Sequence, residues 1–206
     1  MLRVLFCTNA FETITNGPAK FSQLLLRESL NRRGLQVKVL TEDVQRETEN
    51  VFRVSLKYPK YLRLFSQFFR MKQYHKRAMQ IRSLYEFDVI VYNHVIIALY
   101  SALRFENTVG MINDDNNSSR RFMLRAMGYS ALKQLVFKRV ESMSVRYCKA
   151  ILVNSQYLLN HLKVVYPHGL SKYRLLYKGV DFKTSGLPLI RDELQTPVRM
   201  LFVKND

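Results

Sequence analysis

Acidic residues are scarce in this sequence. Only 16 Asp and Glu stand against 33 Lys and Arg, which gives a formal net charge of +17. So strong a positive charge favours polyanionic partners, whether nucleic acid, an anionic bilayer or phosphate-bearing substrates. Charge alone does not choose among the three.

Cysteines and long apolar runs are also scarce. Cys7 and Cys148 form no CxxC or metal-binding spacing, so we expect buried, reduced thiols, which fits a cytosolic protein. The apolar start of the chain is too short for a signal-peptide core. The apolar stretch 89–103 is interrupted by Asn93 and His94 and falls short of the roughly 20 residues that span a bilayer. We therefore expect no transmembrane segment.

Two nucleotide-binding glycine motifs are missing. The sequence contains neither Gly-x-Gly-x-x-Gly nor Gly-x-x-x-x-Gly-Lys-[Ser/Thr], which counts against a dinucleotide-binding enzyme and a P-loop nucleotidase. Disorder is excluded as well, because 206 residues with 48% hydrophobic content can bury a sizeable core. The size fits one α/β domain.

The chain opens with the pattern of a strand, a polar loop and a helix. Residues 2–6 are apolar, 19–33 have helical spacing, and Gly34 stands at the expected helix end. The loop before the helix contains Asn16 and Gly17. Free amides and the macrodipole at a helix N-terminus favour an anion such as a diphosphate. Asn16 and Gly17 are therefore candidate contacts to a bound phosphate, with a plain loop glycine as the alternative.

A second unit of this kind lies near the end of the chain. The apolar run 150–153 predicts a buried strand, and Ser155 is a natural N-cap for a helix that must end near Tyr166, before Pro167. Residues 173–177 then predict another strand. Strand, helix and strand make a βαβ unit with its ligand side at the carboxyl ends of the strands.

Polar residues follow two further predicted strands. Asn93 and His94 come after the strand 88–92, and Asn113 and Asp114 come after the strand 108–112. The carboxyl ends of parallel strands share one edge of the sheet, so His94, Asn113 and Asp114 are candidate ligand contacts. The alternatives are a structural histidine and an Asx-rich turn that caps a helix.

These stretches resemble the N-terminal domain of retaining glycosyltransferases of the GT-B fold, family 4. That family typically has an apolar strand ending in Ser, as at Ser155, and a later strand running into Asn-Gly-Val-Asp, where this chain has Lys178 to Asp181. Its first loop commonly carries Gly-Gly, where Gly17 stands. Asn113 takes the place of a family histidine that commonly contacts the donor sugar, and Asp114 matches the Asp that follows it.

The resemblance implies a Rossmann-like α/β fold, with a parallel sheet and helices on both faces. It implies that the full enzyme is a hexosyltransferase that moves a sugar, with retention, from a nucleotide-sugar donor to a glycan or lipid-linked acceptor of the cell-surface polysaccharide or lipopolysaccharide type. No metal or cofactor is expected. Donor contacts would come from Asn16, Gly17, Asn113 and Asp114, and Lys20 and His94 would lie on the acceptor side.

The resemblance also implies a domain organisation. Residues 1–182 would form the acceptor-side domain, 183–197 a linker, and 198–206 the first strand of a second domain. We therefore expect the chain to be a piece of a longer enzyme, with little or no transferase activity by itself.

The segment 57–85 contains no acidic residue, and aromatic and basic residues alternate along it. One interpretation is a core-packing helix with a solvated basic face. The other is an interfacial helix that holds the protein on the cytoplasmic face of an anionic membrane as a peripheral protein. The candidate membrane-surface residues are Lys60, Arg63, Phe68, Phe69, Arg70 and Arg77.

Two classes without catalysis stay open as alternatives. A nucleic-acid-binding domain would explain the charge, but the chain has no zinc-finger, RRM or KH signature, so we expect no nucleic-acid partner. A small-ligand-binding α/β module would explain the fold. The acidic cluster that a response regulator carries after its first strand is missing, however, because Thr8, Asn9 and Ala10 stand there.

Overall fold

The protein is described by a computed structural model that covers residues 1–13, 17–56, 66–115 and 129–177. These ranges form one seven-stranded sheet in which every neighbouring pair of strands is parallel. The strands are β1 Leu2–Cys7, β2 Leu35–Thr41, β3 Val51–Arg53, β4 Val89–Tyr92, β5 Thr108–Ile112, β6 Ala150–Val153 and β7 Tyr173–Leu175.

Helices cover both faces of this sheet. Successive residues of a strand point to opposite faces. In β1, Leu5 and Cys7 join a core with buried residues of the later helices, while Phe6 packs in a separate core with side chains of the first helix. The predicted Rossmann-like α/β fold is thus confirmed. The helices are α1 Gly17–Asn31, α2 Ser66–Leu84, α3 Val95–Ala102, α4 Tyr129–Tyr147 and α5 Gln156–Val165, followed by a 3-10 turn at Pro167–Gly169.

The strand order β3-β2-β1-β4-β5-β6-β7 places a switch point beside β1. The chain runs outward from β1 to β2 and β3, and β4 then pairs with the other side of β1. In open α/β sheets, ligands bind outside the carboxyl ends of the strands at such a point. We call the residues that directly follow the strands on this side the carboxyl edge.

The unit around α5 follows the sequence prediction closely. The Ser155 side chain accepts a hydrogen bond from the backbone N–H of Leu158 at 3.2 Å, as expected of an N-cap. Leu158 and Leu162 are buried, and the helix ends at Val165. The last strand is shorter than expected, because it spans Tyr173–Leu175 and not 173–177.

The helix α2 does not bury the face that its aromatic residues indicated. Its buried stripe consists of Met71, Tyr74, Ala78 and Ile81. Phe68 is 44% exposed and Phe69 is half-buried. The interpretation of Phe68 as a core residue is therefore wrong, because the helix turns this stripe toward the core and Phe68 lies outside it.

Several predictions fall outside the described residues. These are the roles of Asn16, Lys60, Arg63 and Lys178 to Asp181, the linker 183–197 and the strand 198–206. In the described part of the chain, no helix is long and apolar enough to cross a membrane.

Candidate functional site

Three asparagines connect four strand ends along the carboxyl edge. Asn93 Nδ2 donates to Thr8 Oγ1 at 3.3 Å, and Asn113 Nδ2 donates to the backbone oxygen of Asn93 at 2.7 Å. Asn154 Nδ2 donates to the backbone oxygen of Asn113 at 2.9 Å. These bonds join the ends of β1, β4, β5 and β6. The edge is therefore held as one hydrogen-bonded unit.

Tyr74 and Arg70 of α2 extend this unit to the end of β2. The Tyr74 hydroxyl lies 2.7 Å from the backbone oxygen of Thr8 and 2.8 Å from Glu42 Oε1. Burial raises the pKa of Tyr74 well above its usual value, and the Glu42 carboxylate raises it further, so Tyr74 keeps its proton and donates it. The Arg70 guanidinium pairs with Glu42, and each of the two side chains is only 19% exposed.

Asp43 fixes the loop that follows β1. Its carboxylate accepts from the backbone N–H groups of Phe11, Glu12 and Thr13 and from the Thr41 hydroxyl. Burial would raise the pKa of Asp43, but these hydrogen bonds outweigh it and lower the pKa. In dinucleotide-binding folds an acidic residue after the second strand binds a ribose. Here the carboxylate is already engaged by its own protein.

Asn113 presents a buried acceptor without a partner. Its Nδ2 must face the backbone oxygen of Asn93, because a carbonyl can only accept. Asn113 Oδ1 is buried and makes no hydrogen bond with any described residue. Buried polar atoms in folded proteins almost always have a hydrogen-bond partner, so an unpaired one calls for an explanation. A ligand hydroxyl that donates to Oδ1 would supply the missing bond.

His94 occupies the N-cap position of α3 without a side-chain capping bond. Its ring reaches solvent, yet protein atoms crowd around it. This burial lowers the pKa of His94, while Asp114 raises it and Arg70 lowers it further. His94, Asp114 and Arg70 therefore lie close enough on the carboxyl edge to influence one another. A neutral imidazole near pH 7 can both donate and accept.

Gly17 is the first residue of α1, and nothing in the described protein demands a glycine there. A Cβ at this position would meet no atom within 4 Å. Among the glycines that the structure describes, the positive φ, 92°, belongs to Gly34. Gly17 therefore leaves open space beside the first helix amides. Lys20 is exposed one turn further along α1.

The sequence patterns did not single out Glu42, Asp43 or Tyr74. Glu42 and Asp43 directly follow β2, so strand ends alone would have indicated them. Tyr74 lies in the middle of α2 and gives no such signal. Its role depends on how α2 lies across the strand ends.

Two of the predicted membrane-surface arginines, Arg70 and Arg77, are engaged within the protein. Arg70 pairs with Glu42. Arg77 Nη2 lies 2.7 Å from Glu47 Oε1, and Arg77 Nε donates to the backbone oxygen of Arg53 at 3.3 Å. Separately, within the described ranges no three His, Cys, Asp or Glu side chains gather as a metal-binding group.

The fold matches one half of several solved enzymes. The chain is 12% identical to sucrose-phosphate synthase from Thermosynechococcus elongatus, with a TM-score of 0.60 over 88% of this chain and 49% of that one. It is 11% identical to a ugt transferase from Siraitia grosvenorii in complex with UDP, with a TM-score of 0.50 over 87% and 51%. It is 8% identical to a UDP-N-acetylglucosamine 2-epimerase from Rickettsia bellii, with a TM-score of 0.52 over 85% of this chain and 44% of that one.

These likenesses define the class of fold. The chain spans about half the length of each of these proteins, and its Rossmann-like sheet is of the kind found in GT-B glycosyltransferases. At such low identity they show the fold alone. No curated protein matches the chain by sequence.

The family follows from a direct sequence match. Residues 23–184 match the model of Glycosyltransferase Family 4. That is well over half of the 206 residues, and it covers every described strand after β1. The chain belongs to this family, and the resemblance seen in the sequence is confirmed.

Proposed function

We propose that this domain forms the acceptor-side half of a retaining hexosyltransferase. The enzyme would transfer a sugar from a nucleotide-sugar donor to a glycan or lipid-linked acceptor of the cell-surface polysaccharide or lipopolysaccharide type. The observation that carries the proposal is the family match over residues 23–184. The match includes β2, β4, β5 and β6, four of the five strands whose carboxyl ends hold the linked polar residues.

The free space at Gly17 supports a donor phosphate beside the first amides of α1. A phosphate there would meet N–H donors and the positive end of the helix dipole. The unpartnered Oδ1 of Asn113 supports a contact to a sugar hydroxyl. The exposed Asp114 would lie near the same sugar.

Lys20 and His94 are proposed acceptor-side residues. Lys20 is exposed on the first turns of α1 and offers a cation to an acceptor phosphate. His94 follows β4 at the switch point and reaches solvent. Its lowered pKa favours the neutral ring, which can accept a proton from an acceptor hydroxyl or simply orient it.

Retention and metal independence rest on the resemblance to the family. One assay tests both. A longer protein that contains this domain is incubated with nucleotide sugars and candidate acceptors, with and without a chelator, and the product's anomeric configuration is read by NMR. We expect retained configuration and the same rate with chelator. An inverted product, or loss of activity with chelator, would contradict this part.

The chain of 206 residues by itself should show little or no transfer, because the proposal places only one side of the cleft in it. The same panel of nucleotide sugars and lipid-linked acceptors checks this. Turnover near that of ordinary enzymes, roughly 1 s⁻¹ or more, would contradict the half-site proposal.

Peripheral contact with the cytoplasmic face of an anionic membrane is part of the proposal. Phe68 is 44% exposed near the start of α2, and each basic residue near such a surface contributes about 1 kcal/mol. Arg70 and Arg77 already pair with acids, so Lys60 and Arg63 would supply more of the attraction. Co-sedimentation with anionic vesicles tests this part of the proposal. Binding should fall as salt is added, and it should also fall in the folded Phe68→Ser/Phe69→Ser variant. Absence of binding at low salt would contradict the membrane contact.

A further inference from the structure

A groove between α2 and α3 lies apart from the carboxyl edge. It has a volume of about 540 Å³ and is lined by residues that include Lys72, His75, Lys76, Met79 and Tyr100. None of these makes a hydrogen bond of the carboxyl edge. The groove is largely open to solvent, and its volume lies within the range of small-molecule sites.

The groove carries positive charge that nothing in the described protein neutralises. Neither α2 nor α3 contains an acidic residue. Lys72 and Lys76 are exposed one helical turn apart, and no described residue forms an ion pair with either. This differs from Arg70 and Arg77 of the same helix, which pair with acids. The lysines are therefore available to a ligand.

Arg104, which follows α3, packs against the Tyr100 side of the groove wall. The Arg104 guanidinium lies 3.6 Å from the centroid of the Tyr100 ring, and Arg104 Nη1 donates to the Tyr100 backbone oxygen at 3.1 Å. Tyr100 in turn packs edge-on against His75, with ring centroids 5.2 Å apart. These contacts hold the aromatic wall of the groove in place.

Buried hydroxyls support His75 from behind. Ser101 Oγ lies 3.0 Å from His75 Nδ1 and 2.5 Å from Tyr92 Oη. Burial, and to a smaller degree Arg104, lower the pKa of His75. When Ser101 donates to Nδ1 of the neutral ring, Nε2 carries the proton. Nε2 makes no hydrogen bond to a described residue and can donate to an anion.

We propose that this groove binds a small phosphate-bearing ligand. Lys72 and Lys76 contact the phosphate oxygens, His75 Nε2 donates to one of them, and the rest of the ligand packs against Tyr100 and Met79. A soluble phosphate ester and a lipid headgroup share this chemistry. The site goes beyond the proposed transfer reaction and does not depend on it.

Phenyl phosphate titrated into the 206-residue chain, followed by calorimetry, tests the proposal. We expect saturable binding that weakens about tenfold in Lys72→Gln/Lys76→Gln, because charge-assisted hydrogen bonds are lost. The matched control is Arg32→Gln/Arg33→Gln, which removes the same charge from two exposed residues just beyond α1. Its affinity should stay unchanged. Equal weakening in both variants would show a general ionic effect and overturn the proposal.

Tyr100→Leu separates the aromatic wall from the phosphate contacts. It should weaken phenyl phosphate and leave inorganic phosphate unchanged, because only the former has a ring to pack against Tyr100. Circular dichroism of each variant confirms that it is folded. Equal weakening of both ligands in a folded variant would contradict the assigned role of Tyr100.

Vesicles identify the source of the phosphate. Lysine-dependent binding to phosphatidylglycerol vesicles, with none to phosphatidylcholine vesicles or phenyl phosphate, would assign a lipid headgroup. Binding of phenyl phosphate would assign a soluble ester. If inorganic phosphate, phenyl phosphate and both vesicles all fail to bind the folded chain, or if only oligonucleotides bind, the proposal is wrong.

Discussion

The two ends of the sheet hold their polar groups in different ways. At the carboxyl edge, amide side chains link successive strand ends, and the Glu42–Arg70 pair is 19% exposed on each side. At the amino end, Arg3 pairs with Glu86 and Asp88, whose side chains are 81% and 40% exposed. Exposed pairs contribute little to stability, whereas a partly buried network fixes geometry. The comparison indicates that the carboxyl edge is preorganised and the amino end is not.

The largest expected effect is on the packing that supports the carboxyl edge. In Gly110→Ala of β5, the new Cβ would lie 2.6 Å from Val95 Cγ2 at the start of α3. We expect a loss of about 3 kcal/mol in the free energy of unfolding, because both elements are packed in the core. Urea denaturation measures it. Gly17→Ala is the control, since its Cβ meets nothing within 4 Å, and an unchanged midpoint in Gly110→Ala would contradict the close packing.

The next largest effect is expected when the ion pair at the carboxyl edge is broken. Glu42→Gln leaves the Arg70 guanidinium partly buried without its counter-charge, and we expect a loss of about 2 kcal/mol in the free energy of unfolding. Arg3→Ala at the amino end should give no resolvable loss, because its partners face solvent. Thermal denaturation of the two variants compares the ends directly. Equal losses would remove the contrast between them.

A smaller effect is expected for the link between β4 and β5. Asn113→Ala removes the hydrogen bond to the backbone oxygen of Asn93, at a cost of about 1 kcal/mol in unfolding free energy. In a longer, active protein it should also weaken sugar selection. The matched control is Asn107→Ala. The Asn107 side chain lies at the other end of β5 and accepts a hydrogen bond from Lys149 Nζ. Should Asn107→Ala impair sugar selection as much as Asn113→Ala, the assignment to the carboxyl edge would be wrong.

The smallest expected effect is on pH dependence. The pKa of His94 is lowered in the folded protein, so between the folded and unfolded values the unfolded chain binds more protons. The stabilisation is complete above the unfolded pKa of about 6.5 and is lost as pH falls through the folded value. His94→Gln should flatten this decline in a series of urea midpoints. Part of the decline should remain in this variant, because the pKa of His75 is lowered as well. A steeper decline in the variant would contradict the sign.

The sequence was sufficient to predict which residues follow the strands, but not how their side chains bond to one another. The apolar runs predicted the parallel strands, and a parallel sheet then places Asn93, Asn113 and Asn154 on one edge without further information. The bonds between these side chains were beyond reach, because they depend on the register of β4, β5 and β6. That register appears only in the paired structure.

The contacts of α2 could not be predicted in the same way. Arg70 and Tyr74 meet Glu42 across 28 and 32 residues of sequence. The bulky Phe68 and Phe69 suggested an apolar face at the wrong place. The buried stripe includes Ala78 and Tyr74, which carry a weak hydrophobic signal. The orientation of α2 was set by its packing against α3 and against the strand ends, and not by local periodicity.

The most direct test of the central claim maps where nucleotide sugars meet this domain. Backbone amide signals of the folded chain are followed by two-dimensional NMR while UDP-glucose and other nucleotide sugars are added at millimolar concentration. We predict that at least one of them shifts signals at the carboxyl edge, around Gly17, His94 and Asn113, and leaves those near Arg3 and Asn107 unchanged. Shifts confined to the amino end, or no shift with any nucleotide sugar, would contradict the assignment of the carboxyl edge as the substrate-facing surface.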